Sequence, residues 1–214
     1  AVNELFPSGD FESWKQCARY LPQALACASW IAQRNLTLLE GASLLNRTGQ
    51  YLNNRADYAG AEQLYKQALL IRTQRLGPAH PHTGNILNNL AVLYDTQRRY
   101  SEAEPLYKQS LAIYEQQLGA THPNTASSLN NLAVLYLQQE KYEQAEPLLK
   151  RALMIREQQL GLTHPDVARS LSNLALLELK QGSYSAAEML WQRTLTIYEQ
   201  QAESTQPDIG RVLN

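Results

Sequence analysis

Leu129, Leu132, Ala133 and Tyr136 fall at i, i+3, i+4 and i+7, one face of an α-helix. The polar run Gln138, Gln139, Glu140, Lys141 then interrupts the pattern. A second apolar face follows, carried by Ala145, Leu148, Leu149, Ala152, Leu153 and Ile155. This segment therefore predicts two amphipathic helices joined by a short polar turn. No stretch alternates in the period-two manner of a strand with comparable strength.

The pattern recurs. Tyr58, Tyr100, Tyr142 and Tyr184 are spaced 42 apart, as are Ala61, Ala103, Ala145 and Ala187, and Ile71, Ile113, Ile155 and Ile197. Without gaps, residues 84–125 and 126–167 agree at 25 of 42 positions, and 126–167 and 168–209 at 22, which chance does not produce. The copy from residue 42 is more diverged, with Gly49 where the others have Ala91, Ala133 and Ala175. The spacing divides the chain into an N-terminal helical cap or junction (1–41) and repeats at 42–83, 84–125, 126–167 and 168–205. Residues 206–214 then open a fifth repeat or a C-terminal capping helix. Pro81, Pro123 and Pro165 mark the first position of each first helix. Pro105 and Pro147 read as near the start of the second helix, where a missing N–H costs little. Gly77, Gly119 and Gly161 read as left-handed caps. Ala133 and Ala145 let paired helices approach, with Tyr136 and Tyr142 filling gaps. In the N-terminal segment, Leu21, Leu25, Ala28 and Trp30 are the residues expected to cover the first repeat. One hairpin cannot hide its own apolar face. Stacked hairpins can, and they form a solenoid with a concave surface.

The small-residue spacing, the Tyr before each second helix, and the runs "LNNLA", "AEPLYKQSLAI" and "LGATHP" resemble the tetratricopeptide repeat in its 42-residue form. That form is similar to the repeats of kinesin light chains and related bacterial arrays. The resemblance runs from residue 42 to about 201, with departures at Glu178, at Ala202 and Glu203, and at Gln206. It implies an all-α, right-handed α-solenoid of stacked antiparallel hairpins, with the first helices lining a concave groove. By that register the groove-facing positions are Asn46, Asn88, Asn130 and Ser172, then Gln50, Val92, Val134 and Leu176, then Asn53, Asp95, Leu137 and Leu179. Arg47, Asn89, Asn131 and Asn173 stand at the groove edge. A carboxylate clamp needs Lys and Arg at groove positions that here hold mainly Asn and Ser. Arg47, Arg169 and Lys180 make the groove only weakly basic, unlike the kinesin light chain groove that takes acidic peptides.

A primary amide both donates and accepts, so one amide per repeat is able to hold an extended peptide backbone. Selection among side chains would fall to Val134, Leu137, Leu176 and Leu179, which have no evident core role. The other reading of the asparagines is that one of each pair bonds to the neighbouring repeat and fixes the stack. The expected partner-binding residues are therefore Asn46, Asn88, Asn89, Asn130, Asn131, Val134, Leu137, Arg169, Ser172, Asn173, Leu176 and Lys180. The expected function is a non-catalytic module that binds a protein or peptide in the concave groove, with no cofactor.

Composition changes this little. A net charge of −1 gives no basic surface for nucleic acid. The longest nearly apolar run, 24–32, is too short to cross a bilayer. Cys17 and Cys27 read as small apolar side chains of a reducing, cytoplasmic protein. His80, His122 and His164 recur one repeat apart, roughly 10 Å in stacked helices. Zinc ligands must lie at about 2 Å from the metal, so these read as local caps rather than ligands. Glu104, Glu146 and Glu188 read as acidic residues complementing a helix dipole. Trp14, Trp30 and Trp191 read as packing residues, and no acid, base and nucleophile converge. Two further readings stay open. The segment before the repeats resembles the junction ahead of repeat arrays in NB-ARC-type signalling NTPases, which implies a sensor array of a larger NTPase or caspase-like protein. The start at Ala1 without Met, and the stop inside a repeat, read as a fragment of a longer chain. An apolar edge at residues 209–214 raises end-to-end self-association.

Overall fold

The computed structural model describes residues 14–205. Among the described residues all regular structure is helical: α1 (Trp14–Gln33), α2 (Leu39–Asn54), α3 (Tyr58–Leu76), α4 (Pro81–Thr96), α5 (Tyr100–Gln117), α6 (Pro123–Gln138), α7 (Tyr142–Leu160), α8 (Pro165–Lys180) and α9 (Tyr184–Thr205). None of them is long and apolar enough to cross a membrane. The chain forms two compact units, Ala1–Leu118 and Gly119–Asn214.

The first helices of the second, third and fourth repeats start the same way, whereas α2 begins after Leu38 with no side-chain cap. Pro81, Pro123 and Pro165 occupy their first turns, and His80, His122 and His164 are the N-caps. Nδ1 of each cap accepts the backbone N–H two residues on, from His82, Asn124 and Asp166, each at 3.1 Å. The recurring histidines thus satisfy orphan amides at helix starts.

Each first helix also ends the same way. Ala56, Arg98, Glu140 and Gly182 have φ of 60°, 59°, 59° and 83°. The following N–H reaches back to the carbonyl five residues before it: Asp57 to Leu52, Arg99 to Tyr94, Lys141 to Tyr136 and Ser183 to Glu178. This is the Schellman closure, which turns the chain sharply into the second helix. The glycines after the second helices do something else. Gly77 and Gly161 pair φ near 90° with ψ of 162° and 164°. That is an extended conformation essentially closed to L-residues, not a left-handed cap. The two prolines differ from expectation as well. Pro105 and Pro147 are the sixth residues of α5 and α7, beyond the orphan amides, and each removes one helical hydrogen bond. Both prolines are exposed.

In the first unit, α2 pairs with α3 and α4 with α5, while α3 packs on α4 and α1 on α2. The face of α1 turned inward is Cys17, Ala24, Ala28 and Ile31. Leu25 and Trp30 point outward instead, with the Arg34 guanidinium 4.9 Å from the Trp30 ring. The helical phase is therefore set by the small residues and not by the largest apolar ones. Close approach is visible at Gly49, where an added Cβ would come within 2.9 Å of the Tyr65 ring. The first two repeats are also tied by charge. Glu62 accepts from Lys66 at 2.6 Å, from the Tyr94 hydroxyl at 3.0 Å and from Arg99 at 2.9 Å. Partial burial raises the Glu62 carboxyl, but these three hydrogen bonds outweigh it and hold the pKa at about 2. Glu104 and Glu146 pair with Lys108 and Lys150 one turn on. At Glu188 the residue one turn on is Gln192, whose Nε2 donates to the carboxylate at 3.5 Å.

In the second unit, α6 pairs with α7 and α8 with α9, α7 packs on α8, and α6 touches α8. Val167, Ala168, Leu171 and Ile197 form a buried cluster with Leu153 and Leu190 against it.

A candidate peptide groove between first helices

The second unit has a groove of about 300 Å³ along α6 and α8, lined by Val134, Leu137, Gln138, Glu140, Tyr142, Asn173, Leu176 and Lys180. The helical repeat explains its construction. Val134 and Leu137 are one turn apart on α6, and Asn173, Leu176 and Lys180 follow at the same interval on α8. Leu137 is only 8% exposed and forms the floor, so it also serves the core. Val134 is half-buried, and Leu176, at 39% exposure, forms a wall. Gln138, Glu140 and Lys180 are exposed and give the rim one acidic, one basic and one neutral polar group. Tyr142 also lines the groove. It comes from the first residue of α7, which the Schellman turn at Glu140 swings under α6.

Five of the expected residues meet here: Val134, Leu137, Asn173, Leu176 and Lys180. Others do not. Arg169 is exposed and paired with Asp166 at 2.8 Å, and Ser172 is half-buried outside the groove lining. Asn130 is 4% exposed, and its Oδ1 accepts from Asn173 Nδ2 at 2.9 Å. In the first unit Asn89 Nδ2 donates to Asn46 Oδ1 at 2.8 Å, the same contact between successive first helices. For these four side chains the stack-fixing alternative describes the geometry. Burial requires that such amides be satisfied, and the neighbouring repeat satisfies them. Asn88 and Asn131 are half-buried on α4 and α6.

Tyr142, Gln138 and Glu140 line the groove without having been singled out as contacts. Tyr142 carried a signal, its 42-residue recurrence, but that equally fits a gap-filling role. The exposed turn residues carried none.

The equivalent floor positions of the first unit, Asn53 and Asp95, are polar, and each has a buried Oδ1 without a hydrogen-bond partner. Burial raises Asp95 from the usual 3.8 to about 6, against a smaller lowering by a hydrogen bond from Tyr107. Apolar side-chain capture is thus confined, at this register, to Leu137 and Leu179.

The sequence profile of the tetratricopeptide repeat matches residues 42–116, 97–158 and 124–200. The chain belongs to the tetratricopeptide repeat family. Its fold class is accordingly the all-α solenoid of stacked antiparallel hairpins. BtubC (BKLC) from P. vanneervenii superposes with a TM-score of 0.74 at 21% identity, over 97% of this chain and 84% of that one. A variant of a Podosopora anserina kinesin light chain protein with nearly identical TPR-like repeats superposes at 0.75 and 20% identity, over 94% of this chain and 95% of that one. At such identities the likeness extends to the fold alone. No curated protein matches the chain.

Proposed function

We propose that the chain is a peptide-binding module whose second unit takes an apolar side chain of an extended partner segment into the α6–α8 groove. The tetratricopeptide fold is in general a protein–protein interaction scaffold rather than an enzyme. The observation that supports the finer reading is the groove: Val134, Leu137 and Leu176 form an apolar seat, ringed by polar groups of both signs. Apolar floors with a few convergent polar groups are the usual form of a recognition pocket. The rim is close to electrically balanced, so an uncharged side chain is favoured over a strongly acidic or basic one. Asn173 holds its amide against Asn130 and shapes the wall, while Gln138 and Lys180 reach the passing backbone or its neighbours.

Selection from a displayed random peptide library tests this. Selected peptides are expected to share an apolar residue. Leu176→Glu is expected to weaken their binding at least about tenfold, the loss of one well-seated contact. Met154→Glu, an exposed change on α7 away from the groove, is expected to leave binding unchanged. Equal affinity of the wild type and Leu176→Glu would place the binding surface elsewhere.

A further inference from the structure

The chain leaves its 42-residue pattern at both ends. Residues 206–214, where the sequence suggests a fifth repeat or a cap, lie outside the described residues. At the other end, α1 joins α2 in its own way. The second helices α3 and α7 end at glycines, and the helices after them start at a histidine–proline pair. After α1, by contrast, Asn35 has φ of 47°, and the Leu36 N–H reaches the Ile31 carbonyl at 3.0 Å. This is a Schellman closure, a motif that commonly sets an apolar contact between those two residues.

Ile31 and Leu36 line a cavity of about 170 Å³, and α3 supplies the rest of its lining from one face. Gln67, Leu70, Ile71 and Gln74 fall there at i, i+3, i+4 and i+7. Ile71 is buried, while Leu70 is exposed.

Size, charge and one unpaired atom narrow what this cavity takes. An apolar cavity of about 150 Å³ admits benzene, so the space suits a single ring. No residue lining it is charged, so an ion entering it would lose water and find no counter-charge. Gln67 carries the unpaired atom: its Oε1 is buried and has no hydrogen-bond partner. Leaving a buried acceptor unpaired is costly, and folded proteins seldom do so. The terminal torsion of a glutamine amide is broad, so the group turns toward a donor at small cost.

We propose that this cavity, which lies wholly within the first unit, binds an uncharged aromatic ring bearing one hydrogen-bond donor. The ring is assigned to Ile31, Leu36, Leu70 and Ile71, and the donor to Gln67 Oε1. Phenols and indoles are the chemical class that meets both demands.

A methyl-resolved NMR titration of the 214-residue chain with 4-methylphenol, toluene and benzoate is the test. 4-Methylphenol is expected to shift the methyl signals of Ile31, Leu36, Leu70 and Ile71. It is expected to bind about 3–10 times more tightly than toluene, the worth of one neutral hydrogen bond. Benzoate is expected to leave those signals in place. Gln67→Leu should erase the difference between 4-methylphenol and toluene. Leu70→Glu, at an exposed position, should weaken both. N-acetyl-tyrosinamide reads the source of the ring: binding tighter than that of 4-methylphenol assigns the site to a partner's tyrosine, and weaker binding to a free small molecule. Unmoved methyl signals with every probe would leave the cavity to water and overturn the assignment. So would equal affinity for toluene and 4-methylphenol, a difference that survives Gln67→Leu, or benzoate binding as tightly as 4-methylphenol.

Discussion

At the scale of single residues, burial and register decide what each polar group does. The asparagines show how far sequence carries. Their recurrence and the helix face they occupy were legible. Which atoms they use was not, because a half-buried amide on a first helix suits a peptide backbone and a neighbouring amide equally well. Only the 2.8 and 2.9 Å contacts from Asn89 to Asn46 and from Asn173 to Asn130 separate the two. Asp95 yields a prediction of its own. Its folded-state pKa is raised, to about 6, so the folded protein holds the proton more tightly than the unfolded chain does. The resulting contribution to stability is fully present below the unfolded value near 4 and is lost as pH rises through about 6. Above that, a partly buried carboxylate with one unpartnered oxygen must stay charged. Asp95→Asn, which copies Asn53 of the first repeat, is expected to raise stability at pH 7 by about 1 kcal/mol. This is less than the shift alone implies, because the carboxyl keeps some access to water. Denaturant titrations at pH 4 and pH 7 check it: wild type and variant should converge at pH 4, and an equal difference at both pH values would refute the assignment.

At the scale of helices and turns, most boundaries were readable because their chemistry is local. Proline after histidine starts α4, α6 and α8, and the apolar spacing fixes which faces meet. The inner turns were not readable. Ala56, Arg98 and Glu140 have no preference for positive φ, and only Gly182 advertises it. Two packed helices leave the chain one way round the corner, and the tertiary contacts impose the conformation against local preference. Ala56→Gly should therefore relieve strain, by about 0.5–1 kcal/mol once the greater freedom of glycine in the unfolded chain is subtracted. Gly182→Ala should cost a similar amount. Urea midpoints at constant m-value measure both. A destabilised Ala56→Gly would show that the turn carries no strain. The N-terminal helix illustrates a different limit. Its apolar residues lie on more than one side, so Trp30 and Leu25 looked as eligible for the core as Cys17 and Ile31. The choice falls to Cys17, Ala24, Ala28 and Ile31, whose size permits close packing on α2.

At the scale of the molecule, the 42-residue repetition fixes the fold class, and the departures from it mark where function is sought. The floor of the first-helix surface is Asn53 and Asp95 in one unit, and Leu137 and Leu179 in the other. Identical repeats would give a uniform surface. These repeats concentrate their apolar seat between α6 and α8, and that concentration is the reason for assigning side-chain recognition there. The most direct measurement places a photo-crosslinking side chain at Gln138, on the rim of the groove, and another at Met154 on α7. A library-selected peptide is then irradiated with each variant. The groove assignment predicts a crosslinked adduct at Gln138 and none at Met154; an adduct at Met154 with none at Gln138 would contradict it.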